Sequence, residues 1–404
     1  MAVPSSTPRP GPLQGIRVLD FTAMLAGPHC ARLMADLGAE VIKIEGPEGD
    51  LIRGRTPLRE GHSTYFGALN CGKKSVAIDL KSDAAKRIIY ELARISDVIV
   101  ENFRPGVMAR LGFDYATLIK HNPRLVYCSI SGYGQSGSGA TRAAYAPIIH
   151  AASGYDTANL GYQAQQDYPA ATGIFVADIL AGAYAFGAIQ AALVHRERTG
   201  QGQAVDLSLM DSMLNLMVFE CQEAQFPSGR RRPVYAPMKT TDGHVIIAPI
   251  SQKNFEQMAD ALQRPDLKAD LRFSTNQARE RHWAELMTII EQWTEKRTGI
   301  ECEAIMDAAS VPCSRFLSVS EAMKDPQLAE RGSLSKIRDA AGEFLVPNAP
   351  FQFTTPTAAG PAVSELGADS DEVLSGLLGY SEQQIAELRN QRVLSPGDSG
   401  RSQL

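Results

Sequence analysis

IRVLDFTAMLAGPHCARLMADLGAEVIKIE, residues 16–45, holds a strand, a helix and a second strand in immediate succession. IRVLDF (16–21) is a short apolar run with β-branched residues and reads as a strand. Gly27-Pro28 opens a helical stretch, HCARLMADLG, that closes at Gly38. AEVIKIE (39–45) is the next strand and ends at Gly46-Pro47. Two strands joined by a helix form a βαβ unit, and such units build a parallel sheet.

The pattern continues outward. KSVAIDL (74–80) reads as a third strand, and Ser82-Asp83 can cap the helix AAKRIIYELARI. SDVIVENF (96–103) is a fourth strand and RLVYCSISGYG (124–134) a fifth. Ligands of such sheets sit beyond the carboxyl ends of the strands. Those ends carry Asp20-Phe21-Thr22, Glu45-Gly46-Pro47, Asn102-Phe103-Arg104-Pro105-Gly106 and Ser131-Gly132-Tyr133-Gly134.

The second half changes character. AVDLSLMDSMLNLMVF (204–219) reads as a helix, and PSGRRRPVYAP (227–237) as a Pro-rich, basic connector. The strand HVIIAPI (244–250) and helices near 254–263, 280–296 and 300–309 follow. A second connector lies near 332–350, and SEQQIAELRNQ (381–391) is a terminal helix. The expected class is α/β: a large Rossmann-like parallel-sheet domain plus a smaller α/β domain. The large domain takes 14–226 and a return segment at 345–392; the small one takes 238–332. Residues 1–13 and 393–404 read as disordered ends.

Residues 173–193, GIFVADILAGAYAFGAIQAAL, contain a single ionisable side chain, Asp178. A carboxylate is costly to bury without partners. Asp178 therefore either finds ordinary hydrogen bonds or is kept there for chemistry. The run is long enough to span a bilayer. Its central Asp, its many Ala and Gly and its lack of aromatic belts read instead as a buried core helix.

Composition bounds the class. Apolar content of 44% and charged content of 21% over 404 residues are ordinary for a globular protein. A net charge of −5 argues against a nucleic-acid footprint. Six scattered cysteines without a CxxC pair argue against a zinc site and fit a reducing compartment. No signal peptide is visible, so the expectation is a cytoplasmic protein without membrane or nucleic-acid partners.

Taken in order, GIRVLDFT, GPHCARLMADLGAEVIKIEGPEGD, LNCGKKSVAIDL, DVIVENFRPGVMARLGFDY, NPRLVYCSISGYGQ, ATGIFVADILAGAYAFGAIQAAL, HRERTGQGQAVDLSLMDS and VPCSRFLSV resemble the class III CoA-transferases, the CaiB/BaiF family of formyl-CoA transferase and carnitine CoA-transferase. No one stretch is a strong motif; in register they are specific, and they cover roughly residues 14–392. The resemblance implies a covalent nucleophile at Asp178. It implies a CoA thioester as co-substrate, with succinyl-CoA a candidate donor, no tightly bound cofactor and no metal. It also implies a homodimer of two interlocked chains. Asn102, Phe103 and Arg104 align with the family's turn that contacts CoA, and Arg110 with a basic residue near the phosphates. Lys73, Lys74 and Lys81 flank the adenine side. Met24, Leu25 and Ala26 align with a turn lining the thioester pocket, and Tyr145 with a pocket tyrosine. Met24, Leu25, Tyr145 and His150 suggest a substrate larger than formate.

The chain also departs from the pattern. Gly46 stands where formyl-CoA transferase has a CoA-binding arginine. The glycine-rich loop of that enzyme has no counterpart, and Arg230-Arg231-Arg232 occupies the stretch instead. This argues against formyl-CoA and oxalate, and a basic run would suit a second substrate carboxylate. The nearest rival is an acyl-CoA racemase or isomerase of the same superfamily. Racemases carry a Gly-His-Asp motif where this chain has Ala144-Tyr145-Ala146. His150 lies outside that motif and reads as a core or surface histidine. A CoA-binding protein without catalysis is a further class. A Rossmann dehydrogenase is another, since GYGQSGSG (132–139) has a faint dinucleotide spacing but does not follow the first strand.

Overall fold

The computed structural model describes residues 11–163, 166–169, 172–228, 233–357 and 359–395. It divides into two compact units. One takes the chain up to Gln225 and again from Glu330; the other is Phe226–Ala329.

The first unit is built on six strands: β1 (Arg17–Asp20), β2 (Glu40–Glu45), β3 (Lys74–Ala77), β4 (Val98–Glu101), β5 (Val126–Ser131) and β6 (Ala204–Ser208). They form one sheet in the order β3-β2-β1-β4-β5-β6, with every pairing parallel. The strands alternate their side chains between two cores. Val18, Val98, Val126, Cys128 and Ile130 face α1 (Ala26–Asp36) and a 24-residue helix, Val176–Thr199. Leu19, Ile42, Ile99 and Tyr127 face the helix Asp83–Arg94, which Ser82 caps through the N–H of Ala85. Apolar runs buried on both faces are what a parallel sheet requires.

The sixth strand corrects the sequence reading. Residues 204–219 were expected to be one helix, but Ala204–Ser208 pairs with β5. Its Val205 and Leu207 pack on the core with period two. Ser208 then ends the strand and caps the helix Leu209–Leu216 through the N–H of Asp211. The stretch expected as a second connector holds an antiparallel hairpin, Leu334–Asp339 with Gly342–Pro347. The returning chain also covers the free edge of β3. Asp369 N–H donates to Ser75 O at 3.0 Å, Ser395 N–H to Ala77 O at 3.0 Å, and Ser75 N–H to the Asp369 carboxylate at 2.7 Å. An edge so occupied cannot pair with another sheet.

The long helix Val176–Thr199 is not the all-round core helix expected. It buries a face of small residues, Ala177, Ala181, Gly182 and Ala185, with Ile189 and Leu193 beyond. Ile179, Tyr184 and Val194 on its other side are exposed. The small face allows a close approach to α1. A Cβ placed at Gly182 would stand 2.5 Å from the Ala26 carbonyl oxygen and 3.1 Å from His29 Cδ2. Gly182→Ala is therefore expected to destabilise the chain by about 1–3 kcal/mol, read as a lower urea midpoint. An unchanged midpoint would mean that the two helices have room to part.

The second unit has its own core. A three-stranded antiparallel sheet, Met238–Lys239, His244–Ile247 and Cys313–Arg315, packs with helices Gln252–Ala261, Trp283–Thr294 and Gly299–Ala308 around Val245, Phe255, Phe273, Leu286 and Met306.

Candidate active site

The strand order reverses direction between β1 and β4, and ligands of open α/β sheets bind at that switch point. Here β1 ends at Asp20 and the chain turns through Phe21–Leu25 into α1. Side chains from three strand ends hold this turn. Asn102, just past β4, clamps Ala23 from both sides. Its Oδ1 accepts the Ala23 N–H at 2.9 Å, and its Nδ2 donates to Ala23 O at 2.7 Å. Asp20 accepts the Thr22 N–H at 2.9 Å, Lys43 donates to Thr22 O at 2.6 Å, and Asp50 accepts the Met24 N–H at 3.2 Å. The turn needs this support because Met24 has a φ of 69°, in the left-handed region that L side chains rarely adopt. The amide of Asn102 is thus engaged with protein backbone, although the resemblance had implied a contact with CoA.

Beneath the turn lies a buried charge network. Lys73 pairs with Asp20 at 2.8 Å and also donates to Asn70 Oδ1 at 2.9 Å and Pro28 O at 3.0 Å. Lys43 pairs with Asp50 at 3.1 Å, and Arg53 grips Glu45 with two nitrogens at 2.8 and 2.7 Å. Burial raises the Asp20 pKa, but Lys73 and Lys43 outweigh it and hold the carboxyl below its usual range. Lys73 was expected beside the adenine of CoA. It is instead buried and bound to Asp20.

Asp178 is the third residue of the long helix and partly buried. Burial pushes its pKa up from the usual 3.8 to about 6. No hydrogen bond or charge among the described residues offsets that push. The carboxylate lies one turn before Gly182 on the face that meets Ala26, which brings it to the α1 seam. Two groups that sequence reasoning missed stand here. The phenol of Tyr65 has a raised pKa, from burial first and then from the charges of Asp178 and Asp50, so it shares their surroundings. The imidazole of His29 is lowered to about 4 by burial, then by Arg32 and Lys73. It is a neutral ring packed against Gly182. Neither residue stands out by motif or periodicity.

The other expected residues divide. Leu25 and Ala26 are buried in the turn, and Leu25 packs with Ile52, Phe66 and Leu69 beside Met24 and Tyr65. Phe103 leans on the core around Leu19 and Phe21, whereas Arg104, Arg110 and Lys81 are exposed. Lys74 pairs with Glu40 and Glu372. Tyr145 is 63% exposed at the start of the helix Ala146–Ala152, so it is no core tyrosine. Arg230-Arg231-Arg232 lies outside the described residues. The loop 132–139 spends its Gln135 N–H on the Asp206 carboxylate, at 3.0 and 2.9 Å to the two oxygens, which disfavours a dinucleotide phosphate there. A cavity of about 350 Å³ opens on the opposite sheet face from Asp178. Glu101, Arg104, Asp114, Ser129 and Asp206 line it, and burial pushes Glu101 up to about 7.

Known proteins resemble this chain along nearly its whole length. Residues 13–370 match the model of CoA-transferase family III. The succinyl-CoA–D-citramalate CoA-transferase of Chloroflexus aurantiacus is 35% identical, covering 96% of this chain and all of that protein. The succinate–glutarate CoA-transferase of Agrobacterium fabrum is 35% identical over 80% of this chain and 84% of that one. The formyl-CoA:oxalate CoA-transferase of Streptomyces coelicolor is 31% identical over 95% and 99%. Among solved structures, a CaiB/BaiF family protein from Brucella suis superposes with a TM-score of 0.78 at 31% identity, covering 91% of this chain and 100% of that one. Alongside the α/β sheet and its switch-point turn, these matches place the chain in CoA-transferase family III and make it a CoA-transferase.

Proposed function

We propose that this enzyme moves CoA from succinyl-CoA to a dicarboxylic acid through covalent intermediates on Asp178. The observation that carries the reading is a carboxylate pushed up to about 6 by burial, without a partner among the described residues, at the α1 seam. With that pKa about nine-tenths of the group is ionised at pH 7, and seclusion from water strengthens it as a nucleophile. Asp178 attacks the thioester carbonyl and expels CoA thiolate, leaving an aspartyl–succinyl anhydride. The thiolate attacks the aspartyl carbonyl, which frees succinate and leaves an aspartyl–CoA thioester. The acceptor carboxylate attacks that thioester, releasing thiolate and forming a new anhydride. Thiolate then attacks the acceptor's acyl carbonyl, giving the new acyl-CoA and the free carboxylate. No proton is gained or lost overall.

The turn at Leu25 and Ala26 lines the thioester pocket in this reading. Arg104, Arg110 and Lys81, exposed near the strand ends, bind the CoA phosphates together with the Phe103 turn. Tyr145 faces the acceptor. Relatives named for citramalate, glutarate and mesaconate support a dicarboxylate acceptor. The exposed apolar side chains Ile179, Tyr184 and Val194 on the long helix suit a second copy of the chain, so the working form is a homodimer.

The test is chromatography of acyl-CoA products after succinyl-, acetyl-, glutaryl- or formyl-CoA is mixed with citramalate, glutarate, mesaconate or oxalate. The expected product is a dicarboxylyl-CoA formed fastest from succinyl-CoA. The rate should fall as pH drops through about 6, where Asp178 takes up its proton. Exchange of an α-proton into deuterated water without transfer would instead mark a racemase.

A further inference from the structure

The helix Val176–Thr199 begins without a cap of its own. Its N-cap residue, Phe175, offers no side-chain acceptor, and the first N–H groups of a helix have no partner within it. The N–H of Ala177, next to Asp178, is satisfied from elsewhere: it donates to Nε2 of His150 at 3.0 Å. His150 sits late in the helix Ala146–Ala152 and is fully buried. An accepting Nε2 fixes the ring as the neutral tautomer with its proton on Nδ1. That Nδ1 finds no hydrogen-bond partner among the described residues, and the ring rests against Tyr155 with centroids 5.4 Å apart.

A buried N–H left unpaired is a cost, and such groups in native structures call for an explanation. A leucine would fill the same space without it. What the histidine adds over an apolar residue is the bond to Ala177. Among the described residues Asp178 has no hydrogen bond to fix its carboxylate, so the backbone of its own turn sets its place. Burial pushes the His150 pKa down, against a smaller upward pull from Asp156, so the accepting form persists at neutral pH.

We infer that His150 is a positioning residue: by holding the Ala177 N–H it fixes the first turn of the helix so that Asp178 meets the thioester. The inference rests on reading Asp178 as the nucleophile. His150 forms no bond to substrate and moves no proton. Its effect comes through alignment, where a displacement of about 1 Å can cost about a hundredfold in rate.

The experiment compares the unsubstituted enzyme with His150→Leu and His150→Gln. The amide oxygen of the glutamine variant can accept the same N–H. Single-turnover labelling of Asp178 is followed by hydroxylamine capture, using the acyl-CoA from the four named above that reacts fastest. KM, kcat and melting temperature are measured alongside. His150→Leu is expected to slow labelling about thirtyfold to a hundredfold, with KM changed less than about threefold. His150→Gln is expected to recover to within about fivefold of the unsubstituted rate. If the leucine variant does not fold, His150→Met takes its place. Labelling of the apolar variant at the unsubstituted rate overturns the inference. So does a glutamine variant as slow as the apolar one at equal melting temperature. If none of the four labels Asp178 even in the unsubstituted enzyme, the nucleophile reading fails first and this inference falls with it.

Discussion

Asp178→Ala is expected to lose at least about a thousandfold in kcat, because in the proposed mechanism Asp178 is the group that forms the anhydride, and yet to melt no lower than the unsubstituted enzyme. The two halves of that expectation share one cause. The carboxylate proposed as the nucleophile is held in seclusion, with no hydrogen bond among the described residues, and this raises its pKa from 3.8 to about 6. The folded state thus binds the proton more tightly than the unfolded chain, so the ionised group opposes folding. The penalty is absent below pH 4, grows between pH 4 and 6, and is complete above. Asp178→Asn should therefore be more stable by about 1–3 kcal/mol at pH 7.5, after allowance for its partial exposure, and no more stable at pH 3.5. Thermal melts at both pH values check the sign. A variant that keeps its activity would remove the nucleophile, and one less stable at pH 7.5 would remove the strain.

Lys73→Met should produce the largest loss of stability, about 3–5 kcal/mol, because it takes the ion-pair partner from the buried carboxylate of Asp20. Asp20 and Lys73 are both sealed from solvent, at 0% and 3% exposure, so water cannot replace the lost partner. The pair is also pH-dependent. Asp20 titrates below its usual 3.8 in the folded state, so its contribution is present above that value and is lost as pH falls through the lower one. The double variant Asp20→Asn, Lys73→Met should recover part of the loss. Urea denaturation measures all three. A single-variant loss below about 1 kcal/mol would mean that the pair is more hydrated than its burial indicates. Since Asp20 also holds the Thr22 N–H, the lysine variant should loosen the Met24 turn and slow transfer in what remains folded.

The parallel sheet was legible because its strands are apolar on both faces and its helices carry their own start and stop signals, such as Ser82 and Gly38. The strand Ala204–Ser208 was not. Its five residues run without a break into an apolar helix, and only pairing with β5 separates them. Asp178 stood out because its neighbours in the chain are uncharged. Lys73 and His150 could not be placed in the same way. Lys73 is buried by a carboxylate 53 positions away, and His150 serves a backbone N–H 27 positions away. Composition near a residue carries no trace of such partners. The same limit applies to Asn102, whose motif was readable while its bond to Ala23 was not.

Peptide mass spectrometry after succinyl-CoA and hydroxylamine addresses Asp178 most directly. A hydroxamate confined to the peptide carrying Asp178, absent from Asp178→Ala and discharged by an acceptor acid before the quench, is the expected result. Transfer that proceeds at full rate while that peptide stays unmodified would contradict a covalent aspartyl route.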